Sequence, residues 1–130
     1  MSKVKKYGKF YVHFFSLLLV TTSFAKDDVS KKVFGLSALF ADLEIKNGQR
    51  VCVRGVLRLE FEGTALFSSE KEYKEDRAKN ALWLDISKYK IEPNKSLKGL
   101  EVVVCGQYRP DRRGHMGRYK AELQGAKIEK

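Results

Sequence analysis

The sequence predicts a mainly β domain, a small five-stranded Greek-key barrel with one short helix before it and another between strands 2 and 3. Three observations carry this. Val51–Phe61 alternates apolar and polar for eleven residues, with Gly55 in the middle. Such alternation marks a strand with one buried face, and an internal glycine marks a bend. Four further strand patterns follow, at Thr64–Phe67, Ala81–Ile86, Gly99–Tyr108 and Arg118–Lys127, separated by turn or loop signals. Finally, Gly48–Gly55 and Gly99–Gly106 both read G-x-x-V-x-V-x-G, so two strands begin and bend alike.

The elements before the barrel come first in the chain. Lys3, Lys5, Lys6 and Lys9 precede an uncharged stretch, Phe10–Ala25, that ends in Ser23-Phe24-Ala25. A basic start, a short apolar run and a small-x-small site together read as a secretory signal peptide over residues 1–25. A membrane anchor is the rival reading, but a span needs about 20 apolar residues. This stretch is shorter and contains His13, Ser16, Thr21 and Thr22. Residues 26–46 then form an N-terminal extension, and residues 47–130 the barrel. In the extension, Leu36, Leu39, Phe40 and Leu43 fall on one helical face, with Ser37 as N-cap. Asn47-Gly48 turns the chain into the first strand.

Within the barrel, Glu62-Gly63 makes a tight turn. Ser69-x-x-Glu72 is a capping-box signature at the start of a charged segment, Glu70–Lys79, read as a short exposed helix. In the third strand Leu82, Leu84 and Ile86 share a face opposite Trp83. Ser87–Lys98 contains Pro93 and no helical stripe, so a loop is expected. Arg109–Gly117 is a loop rich in Arg and Gly.

Charge and cysteines bound the function. The chain carries +10, and removal of the four leader lysines leaves +6 on 105 residues. The excess lies in the last third. A chain of this length excludes a dinucleotide-binding fold with a partner domain, and a TIM barrel. Two cysteines remain, Cys52 and Cys105, with no C-x-x-C. In an exported protein an intramolecular disulfide is the default, and two free buried thiols are the alternative.

His115 is the only histidine after the leader, too few ligands for a metal site. No G-x-S-x-G elbow supports a nucleophile. Glu60 and Glu62 share a parity but lack the deep cleft of a glycosidase. Arg112-Arg113-Gly114-His115-Met116-Gly117 is not a dinucleotide or Walker motif, although arginine forks and glycine backbone N–H groups can hold an anion. An ordinary hairpin loop with solvated charges is the plainer alternative.

Asn47–Leu57 and its echo Leu97–Gly106 resemble the strand openings of small exported bacterial OB-fold proteins. Ala81-Leu82-Trp83-Leu84-Asp85 and Gly114-His115-Met116-Gly117 also look like segments of an uncharacterised group of these. The resemblance covers Asn47–Ile128. It implies that the first strand pairs antiparallel with the fourth. If Cys52 then faces Cys105, Val53 faces Val104 and Gly55 faces Val102, so a cross-strand disulfide is compatible with the fold. OB-folds bind chains on strands 2 and 3 and the loops flanking them. That implies a ligand face of Phe67, Trp83, Arg109, Arg112, Arg113, His115, Arg118 and Tyr119, with rings for stacking and cations for anions. Trp83 could instead lie in a second small core under the charged segment. Met116 is expected to pack on Trp83 or Tyr119.

The expectation is therefore a periplasmic or secreted, non-enzymatic OB-fold binding module. It needs no cofactor and takes an anionic or polar oligomer or an envelope partner. Export argues against nucleic acid as the physiological ligand, although fold and charge permit it. The alternative is a structural adaptor that binds another protein through the charged 69–80 segment.

Overall fold

The computed structural model describes residues 32–87 and 95–129. The expected signal peptide lies outside them, as does the middle of the connection at 88–94. The described elements are β1 (Val33–Gly35), α1 (Leu36–Ala41), β2 (Arg50–Arg58), β3 (Ala65–Phe67), α2 (Glu70–Lys74), β4 (Leu82–Asp85), β5 (Glu101–Arg109) and β6 (Ala121–Glu129). Single 3-10 turns occur at Ala78–Asn80, Lys95–Leu97 and His115–Gly117.

Five strands close into a barrel in the order β2, β3, β4, β6, β5 and back to β2. Pairings are antiparallel except β4 with β6. This closed ring is consistent with the OB-fold expectation. It removes every exposed edge among its members except where strands run past their partners. β2 takes part in both halves of the closure. Its first part pairs with β5, and its end, Val56–Arg58, pairs with β3.

The repeated glycines mark the bends. A Cβ on Gly55 would meet the Phe67 carbonyl oxygen at 2.8 Å, and one on Gly106 would meet that of Gln124 at 2.8 Å. At both positions a curling strand lets a neighbouring backbone approach too closely for a side chain. The β5–β6 register also shifts between Cys105 and Gln107, the kink a bulge introduces.

Alternation sets the core. Val51, Val53 and Leu57 from β2 point inward with Leu66, Leu82, Leu84, Val104 and Leu123. Leu36 and Leu39 of α1 join them. Each fully buried Leu or Val contributes about 1.5–3 kcal/mol relative to exposure. The described part of the N-terminal extension, through Leu36 and Leu39, is thus part of the barrel's packing. β1, a sixth strand outside the ring, ties it down by pairing parallel with β2 from Val33 opposite Cys52.

The expected Cys52–Cys105 register is present, with Val53 opposite Val104 and Gly55 opposite Val102. A disulfide joins Cys52 to Cys105 across it. No helix among the described residues is long and apolar enough to cross a membrane.

Three local expectations are corrected. α1 ends at Ala41, so Leu43 leaves the apolar stripe and is 95% exposed. Its N-cap is Gly35 without a side-chain hydrogen bond, not Ser37. β2 ends at Arg58, and Phe61 in the following turn is 93% exposed rather than inward. The turn itself falls as expected, with Glu62 at φ 54°.

Candidate functional site

The outer face of β3 and β4 carries a second, smaller core. Phe67 follows from the pleat of β3, Trp83 from that of β4, and Tyr119 from the approach to β6. Ala65, Ala78 and Ala81 fill between them. The segment after β3 is folded down onto this face. Ser69 caps α2, its hydroxyl accepting from the Glu72 N–H at 3.1 Å, as the capping-box pattern indicated. Tyr73 of α2 meets Phe67 edge-on, with ring centroids 5.8 Å apart.

Arg58 holds the arrangement together. It sits at the end of β2 on the outer face and is only 7% exposed. Its Nε donates to the Gly63 carbonyl at 2.6 Å, its Nη1 to Asp76 Oδ1, and its Nη2 to the Tyr119 hydroxyl. The guanidinium also lies 4.9 Å from the centre of the Phe67 ring, a cation–π arrangement. Asp76 in turn faces Arg118 Nη2 at 3.6 Å. One carboxylate therefore links the barrel wall, the charged segment and the arginine loop.

That loop lies against the same face. Gly114 has φ +66°, and a Cβ there would lie 2.5 Å from Trp83 Cγ. Only a residue without a side chain lets the backbone rest on the indole. His115 stacks beside Trp83 with centroids 6.2 Å apart, and its Nε2 is 3.5 Å from Glu62 Oε2. Trp83 also contacts Tyr119, centroid to centroid 5.1 Å. Met116 packs on neither ring and is 80% exposed, contrary to expectation. His115 occupies the place assigned to it.

The expected ligand residues thus divide into two groups. Phe67 and Tyr119 are buried, and Trp83 is half-buried beneath Gly114 and His115, so the rings expected to lie open for stacking are covered. The reading of Trp83 as part of a second core under the charged segment matches this placement. Arg109 turns away toward Asn47 Oδ1, at 3.4 Å. Arg112 faces Glu122 Oε2 at 3.6 Å. Arg113 and Arg118 remain exposed and line a cleft of about 690 Å³ between the loop and the 76–79 stretch.

Arg77, Lys79 and Lys120 supply the other cations of this cleft, and Asp76 its one acid. Arg77 is paired with Glu75 at 2.6 Å, whereas Arg113, Lys79 and Lys120 have no ion-pair partner among the described residues. Chemically the cleft offers guanidinium and ammonium donors to an anion, from three separate chain segments. Beyond it, Lys74 hydrogen-bonds Glu70 at 2.9 Å and holds that carboxyl below its ordinary pKa of 4.5.

The sequence reading missed Arg58, Asp76, Lys79 and Lys120. Arg58 showed only as an outward position of the first strand. Its partners Tyr119 and Asp76 lie 61 and 18 residues away, so no local spacing could reveal them. Lys120 stood next to two assigned residues, and the charge excess of the last third was its only signal. Comparison with protein-family models, curated proteins and solved structures gives no match to this chain.

Proposed function

We propose that this protein is an exported Greek-key OB-fold binding module, non-enzymatic, that takes an anionic or polar oligomer at the cleft between the arginine loop and residues 76–79. The observation that carries it is the convergence there of Arg113, Lys79 and Lys120, exposed cations without ion-pair partners among the described residues. Like charges gathered on one surface raise the local potential and are relieved by an anion. The ring closure supports the OB-fold reading, and the disulfide fits an oxidising compartment. Relative to the expected strand-face site, the contact surface moves off the covered rings to the cleft beside them.

The test is a salt-dependent screen with polyanions and neutral polymers, on the native protein and on Lys79→Ala with Arg113→Ala. Binding should weaken with rising salt, because exposed charges are screened over about 10 Å at 0.1 M. The double variant should melt like the parent yet lose about tenfold or more in affinity. Unchanged capture with an intact fold would make these residues solvated surface charge. An adaptor role would show instead as co-purification with a protein that depends on Lys71 and Lys74, exposed residues of the charged helix, and no polymer affinity.

A further inference from the structure

Among the described residues four large apolar side chains are exposed: Leu43, Phe61, Leu100 and Met116. Two of them lie beside one contact. His115 Nε2 and Glu62 Oε2 are 3.5 Å apart, which brings the β2–β3 turn against the arginine loop. Phe61 is the residue before Glu62, and Met116 the residue after His115. They are 93% and 80% exposed. A single exposed apolar residue is ordinary, but two on abutting turns form a patch.

The backbone holds Met116 there at a cost. Its φ is 57° and its ψ 19°, the left-handed region that glycine enters freely, and Gly114 and Gly117 stand on either side. A methionine in that conformation, with its side chain in water, stabilises nothing within one chain, whereas a surface that covers it would. Glu62 has φ 54°, so both turns are shaped by left-handed residues other than glycine.

Charge identifies the cover. The turn from Glu60 to Thr64 carries two acids and no base. The loop from Arg109 to Tyr119 carries Arg109, Arg112, Arg113 and Arg118 against one acid, Asp111. Arg109, Arg112 and Arg118 face Asn47, Glu122 and Asp76, whereas Arg113 is exposed with no ion-pair partner among the described residues. The patch therefore has an acidic side and a basic side, each with its own apolar residue. An anionic surface suits only the basic side, and a cationic one only the acidic side. A two-fold rotation lays each side on the other, because in an isologous contact residue i meets j and j meets i. Phe61 of one protomer then covers Met116 of its partner, and a thioether sulfur on an aromatic ring is a favourable contact.

We infer that this end of the barrel is a homodimer interface, in which Phe61 and Glu62 of one protomer meet Met116 and Arg113 of its partner, twice. Two turns a side make a small contact, so the dimer is weak and forms at high concentration. Arg113 also borders the basic cleft, whose Lys79 and Lys120 take no part in this contact.

Sedimentation velocity of the oxidised protein, from micromolar to millimolar concentration and without added polyanion, should show monomer passing into dimer. Phe61→Ser should melt like the parent and weaken dimerisation about tenfold or more. Glu62→Lys and Arg113→Glu each set like charges face to face twice, and each should dissociate the dimer. Mixed in equal amounts the two variants should pair, since both contacts then join unlike charges. Monomer at every concentration overturns the inference. So does a dimer that Phe61→Ser leaves intact, or a pair of charge variants whose mixture stays monomeric. Binding to phosphatidylglycerol vesicles that Phe61→Ser abolishes, by a protein that never dimerises, overturns it in favour of a lipid surface. None of these outcomes depends on whether the cleft takes an anionic oligomer.

Discussion

Replacing Arg58 by methionine takes three donors from the outer core at once. The Tyr119 hydroxyl and the Gly63 carbonyl are buried and lose their partner, while the Asp76 carboxylate is half-exposed and can return to water. Leaving buried polar groups unpaired costs more than losing an exposed ion pair. Arg58→Met should therefore destabilise by about 2–4 kcal/mol, and Asp76→Asn by about 1 kcal/mol or less. Urea unfolding of both variants checks the order. If Asp76→Asn were the more damaging, the ion pair and not the buried hydrogen bonds would be what holds the face closed. The alternation of Val51–Phe61 placed Arg58 on the outer face correctly, but outer did not mean exposed. Position in a strand decides which side a side chain takes, and only neighbouring segments decide whether that side is covered.

At the scale of elements, the arginine loop depends on how closely its backbone meets β4. Gly114 and Gly117 both have φ +66°, but only Gly114 faces Trp83; a Cβ on Gly117 meets nothing within 4 Å. Alanine at either position is strained because both backbones sit at positive φ, and Gly114, at ψ −155°, lies in a region that glycine alone adopts readily. Gly114→Ala adds a clash with the indole. It should lift the loop, expose Trp83 and shift its fluorescence to the red. Gly117→Ala should leave the spectrum as it is. Equal spectra for the two variants would show that the loop does not rest on Trp83. α2 is the contrasting case. Its cap at Ser69 was readable because the Ser69–Glu72 contact spans three residues. Its docking through Tyr73 was not, because Phe67 belongs to another element.

For the whole molecule, the Cys52–Cys105 bond ties β2 to β5 across a separation of 53 residues. Closing a loop of that length in the unfolded chain is worth about 4 kcal/mol by the chain-entropy argument. Reduced protein should therefore unfold at markedly lower urea than oxidised protein. Thiol counting under denaturing, non-reducing conditions should find no free thiol. Equal midpoints for the two forms would place the stability in the barrel core alone. Two titratable thiols would show that the bond is not made in the native protein.

The sequence by itself determined the barrel strands, the inward faces of β2 and β4 and the cap of α2, which rest on period-two alternation and on a cap spanning a few residues. The facing of the two cysteines was compatible with strand parity but followed from the OB-fold resemblance, and the paired strands decide it. The three-residue β1 escaped the sequence reading because so short a segment has no periodicity to read. Phe61 and Leu43 were placed wrongly because apolar character extends past the point where a strand or helix actually stops. Tertiary structure alone decided that Phe67 and Tyr119 are covered, that Arg58 is buried, and that Lys79, Arg113 and Lys120 share a cleft. Each depends on a contact between segments far apart in the chain, made only once the ring closes and two loops fold onto its outer wall.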